Sequence, residues 1–227
     1  MSGGFDLSSA LAKIHPGRPL VIVDADEVIL RFVDGFDRFL RARGLYLDLT
    51  SYRLHGNVKS LADKSAVLDV EVTALLEEFR QNLDSLEAVP GALKSLITLS
   101  RLAGIVILSN ISEAQAPARS RNLLSLGFAH PLVVNDGLKG PAVKKLAARA
   151  LAPSFFIDDI PQHLASAAEM APDVFRIHLI GDPRLTGLLP LPFHAHCYAR
   201  DWGAAEEFIK ARLNYKKNNG SRLCALA

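Results

Sequence analysis

The sequence predicts an α/β fold: a Rossmann-like parallel sheet core flanked by helices, with a small all-helical insertion. Short runs of apolar, β-branched residues recur along the 227-residue chain and are typical of buried strands. Helical patterns separate most successive runs, as expected for parallel strands joined by right-handed crossovers. The chain length suits one domain with an insertion, or a large and a small domain.

The first core elements are a short helix over residues 7–14 and the strand Leu20–Val23. A long stretch then follows in which apolar residues recur at helical spacing, including Phe32 and Phe36 in its first part. Because this stretch contains no convincing strand, we expect an all-helical cap over residues 31–88.

The core resumes at Val89-Pro90-Gly91, so the predicted core consists of residues 1–30 and 89–227. Its later part alternates regularly between the two kinds of element. The predicted strands are 105–108, 132–134, 154–157, 174–180 and 194–198, and the predicted helices are 92–102, 112–126, 141–150, 162–170 and 203–213.

Composition narrows the expected partners. The net charge is +2, with no basic stripe that would favour nucleic acid, and no apolar run approaches the ~18 residues of a membrane helix. Cys197 and Cys224 lie far apart in sequence, which indicates neither a disulfide framework nor a cysteine-rich metal site. The N-terminus lacks a signal-peptide pattern. We therefore expect a cytoplasmic monomer or homodimer that binds a small molecule, not nucleic acid or a membrane.

Polar side chains follow three of the predicted strands. Asp24 and Asp26 end the first strand, Ser109 ends the second, and Asp158-Asp159 ends the fourth. The carboxyl ends of parallel strands meet at one edge of a sheet, where ligands bind. Carboxylates there are costly to bury unless something pairs with them.

These residue types together favour phosphoryl transfer. Clustered carboxylates suit Mg²⁺, which takes oxygen ligands, and a carboxylate can attack phosphorus. A second carboxyl nearby can donate and accept the proton. Ser109 can hydrogen-bond a phosphoryl oxygen, and Lys139, at the start of a predicted helix, can neutralise developing charge.

At this point the chain resembles the haloacid dehalogenase-like superfamily over residues ~20–200. Four motifs match in order on the expected strand ends. They are Asp-Ala-Asp-Glu-Val at 24–28, Ile-Leu-Ser-Asn at 107–110, Lys-Gly-Pro-Ala at 139–142 and Phe-Ile-Asp-Asp at 156–159. The resemblance implies that the insertion is the family's helical cap, which closes over the substrate.

The resemblance also implies a role for each matched position. Asp24 would be the nucleophile, and Asp26 the general acid and base. The phosphoryl group would be held by Ser109, Asn110 and Lys139. The Mg²⁺ ligands would be Asp24, Asp26 through its backbone carbonyl, and Asp159 by direct contact, with Asp158 supporting or sharing the site.

Within the family, Asp26 favours the phosphatase branch, because the family's dehalogenases lack a carboxylate at that position. The implied function is a Mg²⁺-dependent phosphatase that hydrolyses a small phosphorylated metabolite through an aspartyl-phosphate. One departure is Glu27, where such phosphatases often have glycine. We expect its charged side chain to alter the loop that leads into the cap.

Several alternatives stay open. A phosphomutase or a phosphonate hydrolase could use the same core, the latter with Lys59 or Lys64 of the cap near the nucleophile. The chain could also be a catalytically inactive binding or regulatory protein. Strand-end aspartates often cap helices instead, and Lys144 is a rival to Lys139. Polar cap residues that could contact substrate are Arg53, His55, Asn57, Lys59 and Lys64.

Overall fold

The computed structural model describes residues 4–223, with side chains through residue 214, so Cys224 lies outside the described part. Six of the strands within that part form one sheet, and two form a separate ribbon. The strands are β1 (Leu20–Val23), β2 (Leu45–Leu47), β3 (Val58–Ser60), β4 (Gly104–Asn110), β5 (Leu132–Asn135), β6 (Ser154–Asp158), β7 (Phe175–Leu179) and β8 (Cys197–Ala199).

The large sheet has the order β5-β4-β1-β6-β7-β8, and every neighbouring pair is parallel. Helices connect most of its strands, as parallel crossovers require. The helices are α1 (Leu7–Lys13), α2 (Phe32–Arg41), α3 (Asp69–Arg80), α4 (Ala92–Ser100), α5 (Ala116–Ser125), α6 (Gly140–Ala150), α7 (Pro161–Met170) and α8 (Trp202–Leu223), and a short 3₁₀ turn spans Pro183–Leu185.

Strand β1 lies in the middle of the core and is buried on both faces. Its Val21 and Val23 belong to one apolar layer, while Leu20 and Ile22 belong to the layer on the opposite face. A strand with helices on both sides must be apolar at every position, and this explains the continuous run in the sequence. The predicted α/β fold with a Rossmann-like core is thus confirmed.

The insertion between β1 and β4 is not all-helical, so that part of the prediction is wrong. It contains α2, the antiparallel ribbon of β2 and β3, and then α3. Each ribbon strand has only three residues, too few to show the alternation by which a strand is recognised in sequence. The loop 48–57 that joins them also lacks the two-residue signature of a tight hairpin.

The chain leaves the core and returns to it along adjacent segments. Leu30 and Ala88 form an antiparallel bridge, and the Val89 amide donates to the Ile29 carbonyl at 2.7 Å. Inside the insertion, Phe79 of α3 packs against α2, with its ring centroid 5.2 Å from that of Phe32. The insertion is therefore joined to the core just after the carboxyl end of β1.

One helix start and one strand start differ from the predictions by three residues or more. Helix α5 begins at Ala116 and not at Ser112, although the Ser112 amide donates to the Gln115 side chain at 2.9 Å. Strand β8 begins at Cys197, three residues later than expected. No helix within residues 4–223 is both long enough and apolar enough to cross a bilayer.

Candidate active site

The register of the sheet brings the strand-end residues together. Val23 of β1 pairs with Ile157 of β6 and with Ile107 of β4, so the next residue, Asp24, lies level with Asp158. The Asp24 amide donates to the Ile157 carbonyl at 3.0 Å, which continues the ladder beyond the strand. The three strands therefore end at one edge of the sheet, and the polar residues that follow them lie along that edge.

Lys139 joins two of these carboxylates. Its Nζ lies 2.5 Å from Oδ1 of Asp24 and 2.8 Å from Oδ2 of Asp158, and the lysine is only 1% exposed. Burial disfavours its charged form, but the Asp158 and Asp24 carboxylates outweigh that effect and raise its pKa. Lys144 is exposed, so the structure places Lys139 and not its rival at the site.

Three buried carboxylates share this edge of the sheet. Asp24, Asp158 and Asp159 each offer an oxygen atom within 4.8 Å of the others. Burial raises the pKa of Asp24 to about 6 despite the Lys139 ammonium, and burial with neighbouring carboxylates raises that of Asp159 well above its ordinary value. One ammonium cannot balance three ionised carboxylates, so the cluster has the composition of a site for a hard divalent cation.

The adjacent residues Asp158 and Asp159 differ in how many of their carboxylate oxygens already accept a hydrogen bond. Asp158 uses both oxygens, accepting from Lys139 and from the Ile160 amide at 2.8 Å. Asp159 accepts from the Tyr52 hydroxyl at Oδ2, while its buried Oδ1 has no partner within the described part of the chain. An unpartnered buried oxygen fits a cation ligand, which favours Asp159 for direct contact and a supporting role for Asp158.

Ser109 and Asn110 occupy the end of β4. Ser109 is fully buried, and its Oγ finds no hydrogen-bond partner among the described residues. Asn110 is exposed, accepts from Asn135 at 2.7 Å and donates to the Gly137 carbonyl at 2.9 Å. The Ser109 hydroxyl is thus without a partner in the described chain, but Ser109 does not line the cavity at this edge of the sheet, whereas Asn110 lines it and is hydrogen-bonded to the next loop.

Asp26 has a partner that the sequence analysis missed. Arg119 of α5 holds it with two hydrogen bonds, from Nη1 to Oδ1 at 2.5 Å and from Nη2 to Oδ2 at 3.1 Å. The Arg119 side chain is 0% exposed and that of Asp26 is 29% exposed. Arg119 lies on the buried face of its helix with Ala116 and Leu123. A charged residue among apolar ones on such a face is the sequence signal that could have predicted a buried ion pair.

Glu27 adopts a left-handed backbone conformation with φ 57°, the kind of position that favours glycine. Its buried Oε1 accepts from the Val33 amide in the first turn of α2 at 2.6 Å, and its Oε2 has no partner among the described residues. Burial raises the pKa of Glu27 to about 8. The departure from glycine therefore ties the β1 loop directly to the first helix of the insertion.

A cavity of about 260 Å³ lies between the core and the insertion and is lined by Asp24, Asp26, Arg119, Lys139 and Asp159. The insertion contributes Tyr52, Leu54 and Arg80, among others. A larger cavity of about 1060 Å³ opens at the amino ends of the strands, and of the residues considered for the site only Lys144, the rival to Lys139, lines it. The carboxyl edge is therefore the candidate active site.

The polar cap residues suggested by the sequence do not line this cavity. Asn57 is buried within its own loop, Lys59 pairs with Asp48 at 2.5 Å, and His55 contacts Thr73 at 2.9 Å. Arg53 and Lys64 are exposed. Sequence reasoning thus selected polar residues of the insertion that lie elsewhere, while Tyr52, Leu54 and Arg80 of the insertion line the cavity.

Neither the known family models nor the curated proteins include a match to this sequence. Solved structures do match over most of their length. A haloacid dehalogenase-like hydrolase from Burkholderia xenovorans is 19% identical, with a TM-score of 0.55 over 87% of this chain and 99% of its own. A superfamily hydrolase of subfamily IA from Geobacter sulfurreducens is 18% identical, with a TM-score of 0.54 over 87% and 99%.

A third match is a mutant of the CbbY protein from Rhodobacter sphaeroides, solved in complex with xylulose 1,5-bisphosphate. It is 13% identical, with a TM-score of 0.51 over 81% of this chain and 94% of its own. At such identities the likeness concerns the fold. Together with the strand-end residues gathered at one edge of the sheet, these matches show that the chain has the fold of the haloacid dehalogenase-like hydrolases.

Proposed function

We propose that the protein is a Mg²⁺-dependent phosphatase that hydrolyses a small phosphorylated metabolite through an aspartyl-phosphate on Asp24. The observation that carries the proposal is the surroundings of Asp24: the Lys139 ammonium 2.5 Å away, and Asp159, whose carboxylate clusters with that of Asp24 and whose buried Oδ1 has no partner among the described residues. Ser109, at the end of the neighbouring strand β4, also has a buried Oγ with no partner among those residues. A phosphoryl group and a cation would complete this set. Similarity in fold to two hydrolases and to a protein bound to a phosphorylated sugar supports it.

The cation would be held by the Asp24 and Asp159 carboxylates and the Asp26 backbone carbonyl, with Asp158 in support. When bound, it supplies positive charge that offsets the carboxylates and the phosphoryl oxygens. Asp158 would keep Lys139 oriented toward Asp24, since its Oδ2 lies 2.8 Å from Nζ. The unpartnered oxygen of Asp159 and the three-carboxylate cluster support the carboxylate ligands. The Asp26 carbonyl is the ligand that the resemblance to the superfamily implies.

In the first step an Asp24 oxygen attacks phosphorus and the bond to the leaving oxygen breaks, while Asp26 gives that oxygen a proton. In the second step Asp26 removes a proton from water, which attacks phosphorus and releases inorganic phosphate from Asp24. Lys139 and Ser109 hold the phosphoryl oxygens throughout. Arg119 donates one hydrogen bond to each Asp26 oxygen, which leaves each oxygen a lone pair for the proton that Asp26 transfers.

The cavity volume of about 260 Å³ suits a small substrate enclosed beneath the insertion. The proposed partner is accordingly a free phosphorylated metabolite, not nucleic acid or a membrane. We also propose a cytoplasmic location and a monomeric or homodimeric assembly. Phosphonate hydrolysis is not favoured, because Lys59 is paired with Asp48 and neither Lys59 nor Lys64 lines the cavity.

The test is hydrolysis of p-nitrophenyl phosphate. We expect activity with Mg²⁺, its loss in EDTA and recovery on adding Mg²⁺, and no activity in Asp24→Asn. Asp173→Asn, a change at an exposed loop aspartate, is the matched control and should keep full activity. Hydrolysis that survives Asp24→Asn would remove Asp24 as the nucleophile, and a folded wild type without activity on any phosphorylated metabolite would favour a binding role.

A further inference from the structure

We infer that Tyr52 is a positioning residue for the cation site, supplied by the insertion. Its hydroxyl donates a hydrogen bond to Oδ2 of Asp159, across 107 residues of sequence, and links the insertion to a proposed Mg²⁺ ligand. The inference rests on the proposed cation site but goes beyond it, because it assigns a role to a residue outside the four motifs.

The loop 48–57 holds Tyr52 in place through one buried side chain. The Nδ2 group of Asn57, which is 1% exposed, donates to the carbonyls on both sides of Tyr52, to Ser51 at 2.8 Å and to Arg53 at 2.5 Å. Its Oδ1 accepts from the Thr50 hydroxyl at 2.9 Å. Because both flanking carbonyls are fixed, few backbone conformations are open to Tyr52. Its hydroxyl is therefore positioned toward Asp159 before a cation binds.

The contact leaves Asp159 able to bind a cation. Tyr52 occupies Oδ2, whereas Oδ1 is buried and has no partner among the described residues. The Tyr52 hydroxyl is the donor of this hydrogen bond. A hydrogen bond to one oxygen of a ligating carboxylate fixes the direction of the other, and loss of such a bond commonly weakens metal binding.

Cation binding and ordering of the loop 48–57 against the core are then thermodynamically linked. If the hydrogen bond from Tyr52 to Asp159 favours cation binding, then the bound cation must favour that hydrogen bond by the same free energy. Mg²⁺ should therefore slow exchange of backbone amides in the loop 48–57, although no residue of that loop is a proposed ligand.

The experiment is isothermal titration calorimetry with MgCl₂ on the wild type and on Tyr52→Phe, which removes only the hydroxyl. We expect Tyr52→Phe to bind Mg²⁺ about 10-fold more weakly. Tyr46→Phe is the matched control, since Tyr46 lies on β2 of the same insertion and does not line the cavity; its affinity should equal that of the wild type. Hydrogen exchange of the loop, with and without Mg²⁺, is the second measurement.

The outcomes separate this inference from the proposed function. Equal Mg²⁺ affinity in Tyr52→Phe and the wild type, or loop protection by Mg²⁺ that the variant retains in full, overturns the role of Tyr52 and leaves the cation site intact. Tighter binding in Tyr52→Phe would show that the hydroxyl blocks the cation, and it also overturns the inference. A wild type that binds no Mg²⁺ overturns the cation site itself.

Discussion

Replacing Asp26 should destabilise the folded protein in addition to removing its chemistry, because its partner is the more deeply buried member of the pair. In Asp26→Asn the Arg119 guanidinium, 0% exposed, keeps its charge and loses the carboxylate. In Arg119→Met, by contrast, Asp26 is left with a side chain that is 29% exposed and accessible to water. The two single substitutions should therefore have unequal costs.

An uncompensated buried charge typically costs about 3 kcal/mol or more, and we expect that loss of unfolding free energy for Asp26→Asn. Arg119→Met should cost about 1 kcal/mol, because it removes hydrogen bonds but leaves no buried charge. The double variant no longer contains the unpaired, buried guanidinium. Its loss of unfolding free energy should therefore be about 2 kcal/mol smaller than the sum of the losses in the two single variants.

Urea denaturation followed by tryptophan fluorescence measures these costs. Trp202, the single tryptophan, is 1% exposed and donates to the Val28 carbonyl at 2.8 Å, close to the β1 loop. Equal costs for the two single substitutions, or additive costs in the double variant, would refute the reasoning. Activity lost in Asp26→Asn should accordingly be compared with the double variant before it is assigned to acid–base chemistry.

Three further outcomes follow from the buried groups. Glu27 has a folded pKa of about 8 against an ordinary value of 4.5, so its carboxyl is protonated in the folded protein over that range. The contribution of Glu27 to the unfolding free energy is then fully present below pH 4.5 and is lost as the pH rises through 8. Without metal, the wild type should lose about 5 kcal/mol relative to Glu27→Gln between these limits, and parallel stability curves would contradict this. Lys139→Met should cost about 3–5 kcal/mol at pH 8 and less at pH 5, which lies below the pKa of about 6 that burial gives Asp24. A cost independent of pH in urea denaturation would count against the ion pairs. Asn57→Ala should loosen the loop around Tyr52 and weaken Mg²⁺ binding a few-fold by calorimetry, an idea that unchanged affinity would rule out.

The core of the fold was predictable because its signals are local. Runs such as Leu20–Val23 are apolar at every position, which a strand buried on both faces requires. The motif residues come at the ends of such runs, and parallel register then determines that Asp24 lies beside Asp158. Lys139 was predictable as part of a motif, although only the structure shows that it joins both carboxylates.

The insertion and its contacts were not predictable, because they depend on docking between distant segments. Strands β2 and β3 are too short to show a period, and the Tyr52–Asp159 and Arg119–Asp26 contacts span 107 and 93 residues. Glu27 was recognised as a departure from glycine, but its bond to the Val33 amide required the position of α2. Local patterns thus predicted the core residues of the site and missed their partners.

The most direct measurement of the central claim is to quench the reaction with acid while p-nitrophenyl phosphate and Mg²⁺ are in excess, and to locate the phosphoryl group by peptide mass spectrometry. We expect a base-labile phosphoryl group on Asp24 in the wild type and none in Asp24→Asn, which should also release no p-nitrophenol. Phosphorylation at another residue, or p-nitrophenol release by Asp24→Asn at the wild-type rate, would contradict the account.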